Sequence, residues 1–178
     1  MGSVLSATSI REFLHHDPPL VEGLLDEALQ VQPNGIDLSL QGVQSFTNAG
    51  QLGFSSSDRV LPGMTDLAFD GDRIHLPAGS YLVTFNEIVH LPLNLMALGR
   101  PRSSLLRMAV NVGTAVWDAG YHGRSQSLLV VHHPQGVSLM RNARLIQLVF
   151  IALDDSTQGY AGIYQNENMH PQNDGRVI

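Results

Sequence analysis

From Ile36 to Leu153 the apolar residues come in short runs that alternate, or nearly alternate, with polar ones, and Gly, Pro, Asn or Asp breaks them about every eight to twelve residues. Successive side chains of a strand point to opposite faces, so this spacing predicts half-buried strands joined by turns. The predicted strands lie near Ile36 to Leu40, Val43 to Thr47, Asp72 to Leu76, Tyr81 to Val89, Leu93 to Leu98, Asn111 to Val116, Ser127 to His132, Val137 to Met140 and Leu145 to Leu153. The first thirty or so residues differ. Ser9-Ile10-Arg11-Glu12 fits a capping box and predicts a short helix to about His15, stopped by Asp17-Pro18-Pro19. Leu20 to Leu29 has helix-compatible spacing and predicts a second helix. Asn48 to Asp66, rich in Gly, Ser and Asp, reads as a surface loop. No linker or internal repeat divides the chain, so residues 1–165 are expected to form one β domain and the polar stretch 166–178 a flexible C-terminal arm.

Composition narrows the chemistry. A chain of 178 residues can bury about 70% of the surface its unfolded form exposes, enough for one core. No apolar run approaches a membrane span, and the start carries neither a basic leader nor an apolar core, so a soluble, cytoplasmic protein without a membrane partner is expected. Cysteine is absent, which removes disulfides, thiol nucleophiles and cysteine-built zinc sites; lysine is absent too, which removes Schiff-base chemistry and a P-loop lysine. The net charge of -6, with no basic stripe, argues against nucleic-acid binding.

Against that negative background, Arg100, Arg102 and Arg107 cluster within GRPRSSLLR (Gly99 to Arg107) beside Ser103 and Ser104. Arginine forks and short hydroxyls are the donors that anionic oxygens, phosphate above all, require. A hairpin's length further on stands DAGYHG (Asp118 to Gly123). Asp118 either aims and deprotonates a water there or caps its own turn. Gln147 interrupts the otherwise apolar LIQLVF and needs a polar partner, either a ligand or neighbouring main chain. The adjacent pair His132-His133 cannot chelate one ion, because strand neighbours face opposite ways.

These segments resemble the motifs of the dUTPase and dCTP deaminase superfamily. VQPNGIDLSL (Val31 to Leu40) is similar to its first motif, GRPRSSLLR and DAGYHG to its fused second and third, and RLIQLVF (Arg144 to Phe150) to its fourth, in the family's order. The resemblance implies a jelly-roll-like distorted β-barrel, assembled as a homotrimer with its sites at subunit interfaces, acting on dUTP or a related deoxynucleotide with Mg2+ carried on the phosphates. It implies that Asp118 positions the attacking water, that Tyr121 packs under the deoxyribose, and that Arg102, Ser103, Ser104, Arg107 and Gln147 hold the triphosphate. Asn111 is a candidate contact to the base, and Asp37 is either structural or second-shell to the metal. The pair Tyr164-Gln165 resembles the deaminase tail rather than the Gly-rich dUTPase tail.

In the deaminase branch the resemblance places a glutamate about five residues beyond the second Gly of the DxGxxG turn. Here that position is Leu128, and the run RSQSLLVVHH (Arg124 to His133) holds no carboxylate. The expected activity is therefore hydrolysis of dUTP to dUMP and pyrophosphate. The alternatives are a dCTP deaminase, mono- or bifunctional, and an inactive nucleotide-binding regulator of the same fold.

Overall fold

The computed structural model describes residues 3–169. The chain opens with helix α1 (Ala7–Leu14), strand β1 (Val21–Glu22), a single helical turn α2 (Glu27–Gln30) and strand β2 (Val31–Gln32). Strands β3 (Gly35–Phe46), β4 (Met64–Asp66), β5 (Arg73–Leu76), β6 (Gly79–Phe85), β7 (Ile88–His90) and β8 (Leu95–Pro101) lead to the short helix α3 (Ser103–Arg107). The remainder is β9 (Val110–Gly113), β10 (Val116–Trp117), β11 (His122–Gly123), β12 (Gln126–Val131), β13 (Val137–Met140) and β14 (Arg144–Ala152).

The main sheet runs β10-β8-β14-β3-β6-β12-β9, with β2 and β4 added to β3. Its two edge strands, β9 and β10, are separated in the chain by Thr114 and Ala115 alone. Two edges tied by so short a connection force the sheet to curl until they meet, and the Thr114 hydroxyl donates to the Gly99 carbonyl at 3.1 Å across that seam. The result is a mainly β fold, a curled half-barrel with a short N-terminal helix; the alternation predicted the strands, the capping signal the helix, and the resemblance a distorted β-barrel. Strand β3 is the corner. Its first half pairs with β14, its second with β6 and β4, and the register shifts between Leu40 and Gly42. Bulges bend strands in this way.

Alternation along β3 sends Ile36, Leu38 and Leu40 into the core with Phe85, Leu129, Leu148 and Phe150, all fully buried. Each such side chain contributes about 2 kcal/mol. The opposite face of β3 carries Asp37 and Ser39, which are also buried. There Glu87, itself 0% exposed, accepts from the Ser39 amide at 2.8 Å, the Ser39 hydroxyl at 2.5 Å and the Gln30 amide at 2.6 Å. Burial pushes the Glu87 carboxyl above its ordinary value, and these donors pull it back.

Several sequence expectations are corrected. Helix α1 is capped by Ser6, not Ser9: main-chain bonding of Leu5 to the Phe150 carbonyl fixes the chain just upstream, so Ser6 falls at the extended cap position and accepts from the Ser9 amide. The helix expected from Leu20 to Leu29 is absent. Val21 and Glu22 pair with β7, Gly23 adopts φ +75°, and only Glu27–Gln30 turns helical, capped by Asp26. The expected strand Tyr81 to Val89 breaks at Asn86 and Glu87, where Glu87 turns into its buried network. The expected strand Asn111 to Val116 divides at the seam, and the expected loop ends in β4.

Gly35 approaches β14 so closely that a Cβ there would lie 2.4 Å from the Leu148 carbonyl oxygen and 3.0 Å from Gln147 Cγ. Backbone cannot yield cheaply, so Gly35→Ala is expected to lower stability by about 2 kcal/mol, read as a lower urea midpoint at unchanged slope.

Candidate active site

At the end of β8 the Arg102 amide donates to the Leu145 carbonyl at 2.9 Å, and α3 begins immediately after. Arg102 Nε lies 3.0 Å from Asp37 Oδ2, and Arg144 Nη1 reaches the same oxygen at 3.2 Å. Burial pushes the Asp37 carboxyl above its ordinary value while the two guanidiniums pull it down. Asp37 thus fixes the plane of the half-exposed Arg102 fork from beneath. Gln147 sits directly opposite Asp37 on one side and opposite Arg100 on the other, so the three form a row across β3, β14 and β8. Leu105 anchors α3 in the core while Ser103, Ser104 and Arg107 stay exposed, with Arg107 donating to the Ser103 carbonyl at 3.1 Å.

At the other end of β8 stands the Asp118 turn. The Tyr121 amide closes it on the Asp118 carbonyl at 3.1 Å, with Gly120 at φ +78°. The main chain therefore caps this turn, and the exposed Asp118 carboxylate makes no hydrogen bond among the described residues. Tyr121 is 5% exposed, meets Tyr160 edge-on at 6.0 Å, and donates its hydroxyl to Glu167 at 2.7 Å. Burial, reinforced by the Glu167 carboxylate, drives the Tyr121 phenol far above its ordinary value, so it acts as a neutral donor. Burial also raises Glu167, against the Tyr121 hydrogen bond.

The tail is seated on this turn. Gln165 accepts from the His122 amide at 3.1 Å and donates to the Gly120 carbonyl at 2.9 Å. The Asn166 amide donates to the His122 carbonyl at 2.7 Å, and the Arg124 amide to the Glu167 carbonyl at 3.0 Å. Gly123 makes the seat possible, because a Cβ there would stand 2.9 Å from the Tyr121 hydroxyl and 3.1 Å from the Glu167 nitrogen. Residues 170–178 of the expected C-terminal arm lie outside the described residues. Between tail and barrel opens a cavity of about 550 Å3, walled by Phe46, Leu61, Trp117, Asp118, Tyr121 and Tyr164.

The two groups of predicted site residues do not meet within one chain. Trp117 pairs with Ala97 and Gln147 with Arg100, so about five residues of β8, roughly 17 Å, separate the Asp118 turn from Arg102. Asp118, Tyr121 and Tyr164 line the cavity and Gln165 pins the tail beside it; Arg102, Ser103, Ser104, Arg107, Gln147 and Asn111 do not line it. Asn111 is exposed on β9, opposite Val130. Leu128 pairs with Leu82, which places it on the sheet face that Leu82 and Gln126 present to the cavity. Where the deaminase acid is expected, this face carries a leucine.

Residues 4–153 match the sequence family described as dCTP deaminase-like. This chain belongs to that family. It is 47% identical over 168 residues, 93% of this chain and 98% of the other, to a protein of Methanosarcina mazei named probable deoxyuridine 5'-triphosphate nucleotidohydrolase. A protein of the same name from Archaeoglobus fulgidus is 45% identical over 167 residues, 94% of this chain and 98% of the other. Among solved structures, 2'-deoxycytidine 5'-triphosphate deaminase from Agrobacterium tumefaciens superposes with a TM-score of 0.63 at 24% identity, over 85% of this chain and 48% of that one, which establishes the shared fold.

Sequence reasoning missed Glu167, Arg124 and Gln126. A signal existed for Glu167, which stands two residues after Gln165 and forms the bridge to Gly123. Arg124 donates to the carbonyls of Asn86 and, at 3.3 Å, Asn168, tying tail to barrel. Behind the turn, His122 stacks on His90 at 4.0 Å, and His90 Nε2 lies 2.6 Å from Glu22. Burial, with His122 adding to it, lowers the His90 imidazole from 6.5, and Glu22 works against them.

A base with a lowered pKa in the folded state binds fewer protons there than in the unfolded chain, so its contribution to stability is lost as pH falls below about 6.5 toward the lowered value. Urea unfolding is accordingly expected to show a midpoint that drops through that window, and His90→Gln should flatten the drop. Tyr121→Phe removes one hydrogen bond to the tail, and exchange of the Asn166 amide should accelerate about fivefold.

Proposed function

We propose that this protein is a dUTP nucleotidohydrolase, cleaving dUTP between the α and β phosphates to dUMP and pyrophosphate. The observation that carries the reading is Asp118: an exposed carboxylate, spared from capping its own turn, on the rim of a cavity floored by the buried Tyr121. Relatives up to 47% identical that bear the nucleotidohydrolase name support the same reaction, and Leu128 at the deaminase acid's position supports hydrolysis over ring deamination.

In this mechanism Asp118 aims a water at the α-phosphorus and takes its proton as the new P–O bond forms. The bond to the bridging oxygen breaks, and its electron pair leaves with pyrophosphate. A fixed carboxylate that supplies both base and aim lowers the barrier through general-base catalysis and orientation together. Tyr121 floors the deoxyribose. Gly123 keeps that floor free of a side chain. The half-exposed fork of Arg102, the exposed fork of Arg107 and the hydroxyls of Ser103 and Ser104, with Gln147 beside them, bind phosphate oxygens.

Because roughly 17 Å of β8 divides these two groups, the proposed working form is a homotrimer in which one subunit's Asp118 turn faces a neighbour's α3. Mg2+ fits such a site when held by the phosphates with its own waters. Asp37 is taken by two arginines, whereas Asp118 is open to hydrogen-bond a metal-bound water. The ion would neutralise phosphate charge there. A cytoplasmic location accompanies the activity; no helix among the described residues is long and apolar enough to cross a membrane.

Asp118→Asn is expected to lower pyrophosphate release from dUTP by about 10²-fold while binding of a non-hydrolysable analogue holds. Arg107→Ala should weaken binding instead. If sites form between subunits, mixing these two impaired variants under conditions of subunit exchange should restore part of the activity. Each variant alone, and a mixture of monomers near 19.4 kDa by light scattering, should not.

A further inference from the structure

On the wall of the cavity, Gln126 belongs to a relay whose direction can be read from its far end. Asp66 is exposed and carries a carboxylate, which can only accept, so Gln44 must give it the Nε2 amino group, at 2.7 Å. Gln44 therefore turns its carbonyl oxygen toward Gln126. Only the amino group of Gln126 can answer an acceptor, and it does so at 3.4 Å while also donating to the Thr84 hydroxyl at 2.9 Å. An amide whose amino group is spent on two protein acceptors has its carbonyl left over. Gln126 Oε1 accepts no hydrogen bond from the described residues, and Gln126 lines the cavity with Trp117, Asp118 and Tyr121. Gln126, Thr84, Gln44 and Leu82 share one sheet face by register, the face on which Leu128 replaces the deaminase acid.

We propose that Gln126 is a specificity-determining residue: its carbonyl, held by the Asp66–Gln44 relay, accepts the ring N–H of uracil. The proposal rests on the dUTP reading above and deepens it. Uracil carries hydrogen on the ring nitrogen between its two carbonyls. Cytosine presents a lone pair at that nitrogen, which an acceptor repels. A fixed acceptor on the cavity wall therefore selects the imide. Sites that hydrogen-bond a substrate group discriminate against analogues lacking it, because the unmatched protein group stays unpaired.

The chain contains a single tryptophan, Trp117, in the same cavity, so its fluorescence reports binding without requiring turnover. The ligands are the α,β-imido analogues of dUTP, dCTP and 2',3'-dideoxyuridine triphosphate. The unmodified protein is expected to prefer the dUTP analogue to the dCTP analogue. Gln126→Leu should weaken the dUTP analogue about tenfold and leave the dCTP analogue nearly unchanged. Asp66→Ala, an exposed change far from the fold's core, frees Gln44 to turn over and should lose part of the same preference. If the unmodified protein prefers uracil and both variants keep that preference, the proposal is overturned and the dUTP reading stands. If the unmodified protein shows no preference for uracil, that reading fails and takes this one with it. Equal weakening of the dUTP and dCTP analogues by Gln126→Leu, with the dideoxy analogue spared, would assign the carbonyl to the 3'-hydroxyl and overturn the proposal for the base.

Discussion

Strand β8 sets the geometry on which the rest depends. Its pairing with β10 at one end fixes Asp118, and its run into α3 at the other fixes Arg102, so the groups suited to water activation and to phosphate binding are held apart by the strand's own length. A rigid central strand cannot fold back to join them. The same constraint makes the curled sheet useful, because closure at Thr114 and Ala115 turns the hairpin between the two motifs into a wall of the cavity.

Buried charge supports both ends. At the α3 end, Asp37 spends its carboxylate on Arg102 and Arg144; removing one partner from such a buried cluster leaves uncompensated charge, so the cluster fixes position more than it adds stability. At the other end the polar atoms of the tail replace what water would supply. Gln165, Glu167 and Asn168 satisfy main-chain groups of the Asp118 to Arg124 stretch that would otherwise face solvent. At Gly123 the tail lies so close that a Cβ would stand 3.1 Å from the Glu167 nitrogen.

Much of this was legible in the chain. Period-two alternation gave the strands, and the four motifs gave Asp118, Tyr121 and the arginines, because those residues stand in local patterns that need no knowledge of the fold. What escaped depended on contacts distant in sequence. Glu87 breaks a predicted strand because Ser39 and Gln30 wait for it across the core. The predicted second helix fails because β7 claims Val21 and Glu22. Gln126 stands just ahead of the predicted strand Ser127 to His132, and its direction is fixed by Gln44 and Asp66, more than fifty positions away.

In the proposed mechanism Leu128 marks the difference between hydrolysis and ring deamination, since a carboxylate on that sheet face could move protons on the ring, whereas Asp118 is assigned to the phosphates. The most direct measurement is incubation of the purified protein with Mg2+ and either dUTP or dCTP, following pyrophosphate and ammonia separately. Pyrophosphate from dUTP and no ammonia from dCTP are expected. Ammonia from dCTP at a rate comparable with pyrophosphate from dUTP would contradict it.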